Sequence, residues 1–367
     1  MSLASKVFGA NNEFFGETGK PIYMDKKYFK SLHYNFINER ERVRRKKGGC
    51  IIPGCKGKCV LSHTIPESAV LRLVSHQKNV IYPGLNSESG KYECKSINIG
   101  KASAFPGFCI DHERLFSGFE RNGNFEDPSI VIQNLRVIFR YLFEVSSLLK
   151  VFKRALSSYK KEISDYQREK ISLLNTNLKK NITLIDVNDE ITKHMQDKIE
   201  FLEYLAAEIE NEDLAPFIET MNGDSELTSV IAIHLDCELP LCLAGKSGFK
   251  AGNKKYTVHL SIFPKPGQTF CCFSLPKRHD LDFRKILEKY KSDFEFLKFV
   301  ESWMIYGTDF WYINPLEWDG YSTEKKEKIL TKIKNTDHFP DEDLDFTIFD
   351  TLRTNLKRLE KQSSQEN

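Results

Sequence analysis

The chain has 367 residues, of which 40% are hydrophobic and 29% charged, and its formal net charge is +3. These values are typical of a globular protein with two or three domains and make a disordered chain a poor interpretation. The nine cysteines, without an apolar signal-peptide core ahead of them, favour a reducing, cytoplasmic location over a disulfide framework. No segment has the roughly twenty consecutive apolar residues that a membrane helix needs.

Basic residues are concentrated just before the first cysteine: Arg40, Arg42, Arg44, Arg45, Lys46 and Lys47. Such a run can neutralise phosphates and give salt-dependent binding to nucleic acid. It can equally be the exposed face of a helix, because Glu39 and Glu41 alternate with the arginines. Both interpretations stay open.

Two closely spaced pairs of soft ligands follow, Cys50 with Cys55 and Cys109 with His112. A turn at Pro53-Gly54 can bring the first pair to one ion. Zn²⁺ prefers four such ligands, and a closed four-ligand site is structural. We therefore predict a structural zinc site from these four residues. Cys59 and His63 are alternative ligands.

Three domains are predicted. Residues 1–128 are rich in glycine, proline, asparagine and serine, as in a small module whose folding depends on its metal. Residues 129–220 carry an apolar stripe with the spacing of a coiled coil, which predicts a long helical hairpin or an arm that forms a homodimer. The stripe comprises Leu135, Ile138, Leu142, Val145, Leu149, Phe152, Leu156, Tyr159, Ile163 and Tyr166.

In residues 221–367 the apolar period changes to two. Strands are predicted at 228–235, 256–263 and 269–275, with a hairpin turn at 264–268. One helix is predicted from about 281 to 304, and another begins near Ser322. His259 is expected on a solvated face of its strand. This antiparallel sheet with helices makes the fold class α+β, multidomain, and its third domain a candidate for binding a protein partner.

Between the two ligand pairs lies Ser62-His63-Thr64-Ile65-Pro66, and the second pair opens Cys109-Ile110-Asp111-His112-Glu113. Over residues 50–120 this order resembles the HNH, or treble-clef ββα-metal, nucleases. The resemblance implies a treble-clef-like module in which His63 is the general base. It also implies that Glu113 binds a catalytic Mg²⁺ or Mn²⁺. Ser62 stands where the family usually has an acidic residue, and Glu113 where it usually has a histidine.

The resemblance implies a divalent-metal-dependent endonuclease that acts on nucleic acid. A nuclease module joined to a recognition domain is similar in layout to bacterial defence effectors, which is an analogy of arrangement alone. The alternative is a non-catalytic zinc module that recognises nucleic acid or protein. The sequence contains no P-loop and no dinucleotide-binding fingerprint, so nucleotide hydrolysis has no support.

Overall fold

The structure is a computed structural model, and it describes most of the chain in segments. These segments are 34–35, 37–39, 41–42, 48–86, 92–122, 127–178, 190–221, 227–251, 254–308, 310–333 and 344–366. The protein is α+β with antiparallel sheets, as predicted. No helix in these segments is both long and apolar enough to cross a membrane.

The strands of the described segments form two antiparallel sheets. In chain order they are β1 (Cys59–His63), β2 (Asn79–Leu85), β3 (Tyr92–Asn98), β4 (Ala104–Cys109), β5 (Thr228–Leu235), β6 (Leu241–Ala251), β7 (Lys254–Lys265), β8 (Gln268–Pro276) and β9 (Trp311–Ile313). Strands β1 and β4 pair with each other. The other seven form one sheet in the order β3-β2-β9-β6-β7-β8-β5.

The helices lie between and after these strands. They are α1 (Ile110–Glu113), α2 (Ser117–Asn122), α3 (Asp127–Leu178), α4 (Glu190–Glu208), α5 (Ala215–Met221), α6 (Asp280–Leu287), α7 (Asp293–Ser302), α8 (Pro315–Gly320), α9 (Thr323–Lys332) and α10 (Asp350–Glu366). Short π-helical segments follow α4 at 209–214 and α7 at 303–307.

The large sheet crosses the predicted division at residue 128. Strands β2 and β3 belong to the predicted N-terminal domain, yet they join strands from the predicted third domain. The junction is β9, where Ile313 lies opposite both Ile81 of β2 and Leu241 of β6. Two strands alone are marginally stable in water. Pairing with β9 gives this hairpin the partner that a separate module of residues 1–128 would lack.

The long helix α3 begins against the large sheet. Asn134 donates a hydrogen bond to the Ser274 hydroxyl and accepts one from Ser261, both at 2.7 Å. This part of α3 therefore packs into the interior. Helix α4 returns beside α3, with an ion pair of 2.6 Å between Lys153 and Glu203.

The first half of the predicted apolar stripe is covered within the chain. The buried core here includes Leu135, Ile138, Leu142, Val145 and Phe152 of α3, Leu202 of α4, Ile209, Leu214 and Phe217 after α4, and Phe105 and Phe108 of β4. Contacts with α4, with the segment after it and with β4 therefore cover this part of the stripe without a second copy of the chain. Homodimerisation through the stripe stays a prediction.

The strands predicted at 228–235, 256–263 and 269–275 are present as β5, β7 and β8. The single helix predicted from 281 to 304 is wrong, since two helices, α6 and α7, occupy this segment. The reason is a new N-cap: the Ser292 hydroxyl accepts a hydrogen bond of 3.3 Å from the Glu295 N–H. Helix α6 has already ended at Leu287, so this cap starts a separate helix.

The expectation that His259 lies on a solvated face is also wrong, since the side chain is 1% exposed. The segment 209–221 covers this face of the sheet. It places Asp213 3.8 Å from the Nε2 atom of His259 and the Phe217 ring edge-on at 5.3 Å. Asp213 also forms an ion pair with Lys246 from β6. A helical segment distant in sequence has turned a polar strand face into an interior.

Candidate metal centre

The predicted ligands Cys50, Cys55, Cys109 and His112 come together in the structure. One ligand atom from each lies within 4.8 Å of all the others. The Sγ atoms of Cys55 and Cys109 are 3.8 Å apart, and the Nδ1 atom of His112 is 3.3 Å from the Sγ atoms of Cys50 and Cys109. In the described residues this is the one group of three or more histidine, cysteine or acidic side chains close enough to hold a metal ion.

The spacing of these atoms suits a tetrahedral ion. A Zn–S bond of about 2.3 Å places two sulfurs of a tetrahedron about 3.8 Å apart. This equals the separation of Cys55 and Cys109. The alternative ligands Cys59 and His63 lie outside the group. The cluster could therefore hold a metal such as zinc with three thiolates and one imidazole.

The first pair of ligands lies on a tight turn. Gly54 has φ +77°, a conformation that favours glycine, and the Cys55 N–H donates to the Ile52 carbonyl at 3.1 Å. Gly57 passes against the second pair, where an added Cβ would lie 2.7 Å from the Cys109 Cβ. The sequence Pro53-Gly54 predicted the turn. The requirement for glycine at position 57 was not predicted.

The second pair lies where β4 passes into α1. Cys109 precedes the first residue of α1 and His112 follows three positions later, so both side chains reach one side of the helix start. Backbone hydrogen bonds from His112 and Asp111 lower the pKa of Cys109, whereas burial raises the pKa of Cys50 to about 11. Metal binding would replace both thiol protons.

His63, the predicted general base, is the last residue of β1 and is 16% exposed. Its Nε2 atom lies 3.3 Å from the Gly100 carbonyl oxygen and 3.6 Å from the Glu67 carboxylate. Burial lowers the pKa of His63, and the Glu67 charge opposes that shift. Burial therefore favours the neutral form of the ring, in a side chain that is not fully enclosed.

Glu113, the predicted ligand of a catalytic cation, has other partners. One oxygen forms an ion pair with Arg136, and the other accepts a hydrogen bond of 2.8 Å from the Ser62 hydroxyl. Arg136 also binds Glu120 at 2.7 Å. Glu113 and His63 do not belong to a common metal-binding group in the described residues. The carboxylate of Glu113 is held in an internal ion-pair network.

Sequence reasoning missed Arg136 and Ser103. Arg136 is a fully buried cation on α3, beside the predicted apolar stripe, and no sequence pattern marked it. Ser103 has φ +53°, and its N–H donates to the Tyr312 hydroxyl at 2.7 Å while its carbonyl accepts from Arg140 at 3.0 Å. It joins β4, α3 and β9, and no sequence pattern marked it.

Of the predicted basic run, Arg42 lies within the described residues; Arg40, Arg44, Arg45, Lys46 and Lys47 lie outside them. Arg42 binds Glu39 at 2.6 Å, and Glu39 also pairs with Arg154 of α3. The charge of Arg42 is thus partly balanced inside the chain. This geometry agrees with the interpretation of a helix face at that position.

Comparison of the chain with protein-family models, with curated proteins and with solved structures gave no match.

Proposed function

We propose that this protein is a zinc-stabilised endonuclease that hydrolyses phosphodiester bonds in nucleic acid, with His63 as its general base. The proposal is supported by the order of elements in residues 50–113. A turn with two cysteines leads into β1, and β4 pairs with β1 before running into a helix start with the other two ligands. A treble-clef-like, ββα-metal module is expected to have this order of elements.

The observation that carries the proposal is the placement of His63. It lies at the end of β1, opposite Ala104 of β4, and therefore on the same hairpin that holds Cys109. A general base near neutral pH must be largely unprotonated and within reach of water. Burial lowers the pKa of His63 while part of the ring remains exposed, which suits both requirements.

The zinc ion has a structural role in this proposal, because four protein ligands leave no open position for substrate. A catalytic Mg²⁺ or Mn²⁺ does not fit the described side chains. Glu113 is bound to Arg136 and Ser62, and its neighbour Glu120 is bound to the same arginine. No step of the reaction is assigned to such a cation.

The alternative function is a non-catalytic zinc module that recognises nucleic acid or protein. The same pairing of Glu113 with Arg136 favours it, because it removes a carboxylate that a metal-dependent nuclease would need. In that case the zinc would hold a recognition surface in place, and the basic residues 40–47 would neutralise phosphates.

A cleavage assay separates the two functions. Wild-type protein is incubated with plasmid DNA and with RNA, in Mg²⁺, in Mn²⁺ and without added divalent cation. His63→Ala is expected to reduce cleavage by about 100-fold or more, the scale of general-base catalysis. The control is His76→Ala, since His76 is exposed and lies outside the hairpin. If wild type and His63→Ala are equally inert under every condition, the endonuclease is excluded.

A further inference from the structure

We infer that Glu67 is the positioning residue of His63: with the Gly100 carbonyl it holds the Nε2 side of the ring, so that Nδ1 accepts the proton from water. The inference rests on the proposed function, and the role it assigns to Glu67 differs from the cation-binding role that the resemblance implies for Glu113.

Two oxygen atoms converge on one ring nitrogen. The Gly100 carbonyl oxygen is 3.3 Å from the His63 Nε2, and the Glu67 Oε2 is 3.6 Å from the same atom. The Gly100 carbonyl can only accept a hydrogen bond, so in the neutral ring Nε2 carries the hydrogen, and the Glu67 charge lies beside it. The tautomer is thereby fixed, and the lone pair available to a water proton lies on Nδ1.

The Gly100 carbonyl is itself held in a tight turn. The Asn98 side-chain oxygen accepts from the Gly100 N–H at 3.1 Å, and the Asn98 carbonyl accepts from the Lys101 N–H at 2.8 Å. A Cβ added to Gly100 would lie 4.0 Å from the Glu67 Oε2, so this turn and the carboxylate are in direct proximity. Both acceptors are therefore placed before any substrate arrives.

The backbone on either side of Glu67 is also anchored. Glu67 follows Pro66 at the start of a helical turn, in which Val70 and Leu71 are buried and both N–H groups donate to the Pro66 carbonyl. His63 and Glu67 are thus separated by a short turn with fixed ends. The Glu67 side chain is 39% exposed, so its contact with His63 lies at the edge of the interior.

The charges around His63 distinguish Glu67 from Glu120. Arg136 and both carboxylates act on the ring, and the effect of Glu67 is the largest of the three. Glu120 is bound to Arg136, which offsets part of its charge, whereas Glu67 pairs with His63 itself. Glu67 is therefore the group that stabilises the imidazolium formed during the reaction.

The proton balance is simple. Water transfers one proton to Nδ1 of His63 while its oxygen bonds to phosphorus, and the bond from phosphorus to the leaving oxygen breaks. The leaving oxygen takes a proton from solvent, and the imidazolium later returns its proton to solvent. Neither oxidant nor co-reactant is needed.

The test measures the ring and the reaction separately. Full-length protein labelled with ¹⁵N in its histidines is titrated by long-range ¹H–¹⁵N NMR as wild type, Glu67→Gln, Glu67→Asp and Glu295→Gln. Glu295 is the matched control, because it is also 39% exposed and forms an ion pair with Lys298 elsewhere. The His63→Ala variant assigns the signal of His63.

In wild type the hydrogen is expected on Nε2. In Glu67→Gln the midpoint of His63 titration is expected to shift to lower pH, because a negative neighbour is lost. Cleavage is expected to fall about 10- to 100-fold, as for other carboxylate partners of functional histidines. Glu67→Asp should partly restore the titration midpoint and the cleavage rate. Glu295→Gln should match wild type in both measurements.

An unchanged tautomer and midpoint in Glu67→Gln would overturn the inference, even if wild type is an active endonuclease. A wild-type cleavage rate in Glu67→Gln would also overturn it. A third outcome is that wild type is inactive but the His63 titration still responds to Glu67→Gln. This outcome would exclude the endonuclease and leave the pairing of the two side chains intact. The failure of either proposal is thus recognised separately.

Discussion

Arg136 and Glu113 form an ion pair in which the guanidinium is fully buried and the carboxylate is 22% exposed. The same guanidinium donates to the Ser62 hydroxyl at 3.1 Å and lies over the Phe116 ring at 4.1 Å. One cation from α3 therefore fixes β1 and α1, the two elements on either side of the metal cluster. The ion pair therefore has a structural role, and any catalytic role assigned to Glu113 must be compatible with it.

Replacing Arg136 by methionine is expected to destabilise the protein by about 3 kcal/mol, because Glu113 and Glu120 would lose a buried counter-ion. Urea denaturation measures the loss. The control is Arg114→Met, since Arg114 is exposed and its contact with Asp111 is 3.5 Å. That change should cost less than about 1 kcal/mol. Equal effects of the two changes would contradict the role assigned to Arg136.

The metal cluster predicts one zinc ion per chain, measured by elemental analysis of purified protein. Cys109→Ser is expected to lose the ion and to expose the module to proteolysis, because the folding of such a module depends on its metal. Cys94→Ser serves as the control: this thiol lies on β3, outside the cluster, and should keep the zinc. A metal-free wild type of normal stability would exclude the site.

His259 predicts a pH dependence of stability. Burial lowers the pKa of His259, while Asp213 favours its charged form and Lys246 disfavours it. Below about pH 6.5 the unfolded chain therefore binds a proton that the folded chain excludes, and stability falls as the pH decreases. The slope from one such group is at most about 1.4 kcal/mol per pH unit.

The variant His259→Gln should flatten this dependence between pH 7 and pH 5, whatever its effect on stability at pH 7. Urea denaturation at several pH values provides the measurement. His76→Gln, at an exposed position, should leave the slope as in wild type. If His259→Gln retains the full wild-type slope, other groups cause the pH dependence.

The basic run predicts salt-dependent binding of nucleic acid. Each phosphate contact removed should reduce the slope of log affinity against log salt by about 0.9 for duplex DNA. Lys46→Gln and Lys47→Gln are each expected to produce such a reduction in fluorescence anisotropy titrations. Arg278→Gln is the control, because this exposed arginine is paired with Glu212 on another part of the chain. Unchanged slopes in both lysine variants would favour the helix-face interpretation of the run.

Local signals explain which elements were predictable. Strands β5, β7 and β8 alternate apolar and polar residues or are continuously apolar, and their bounds follow from that pattern. Strand β6 was missed because Gly245, Lys246, Ser247 and Gly248 interrupt its apolar residues. Gly245 has a tertiary reason, since an added Cβ would lie 2.5 Å from the Thr308 hydroxyl. A tertiary contact of this kind produces no recognisable pattern in the local sequence.

The metal cluster was predictable because its ligands form two closely spaced pairs, and a turn lies between the two cysteines of the first pair. Its surroundings were not. Arg136 lies 74 positions from Ser62 in the chain, and only folding brings the two together. The same holds for Asp213 and His259, whose contact depends on a helical segment covering the sheet. Residue type and spacing indicate ligands, whereas the partners that tune them come from tertiary structure.

The large sheet cannot be completed during synthesis until β9 has been made. Strand β9 is the strand through which β2 and β3 join the rest of the large sheet. Synthesis adds about 5–20 residues per second, so on the order of ten seconds or more pass between the emergence of β3 and that of β9. During that interval the edge of the β2–β3 hairpin is open to other chains. Nascent protein is therefore most exposed to misassembly, and most in need of chaperones, before residue 313 leaves the ribosome.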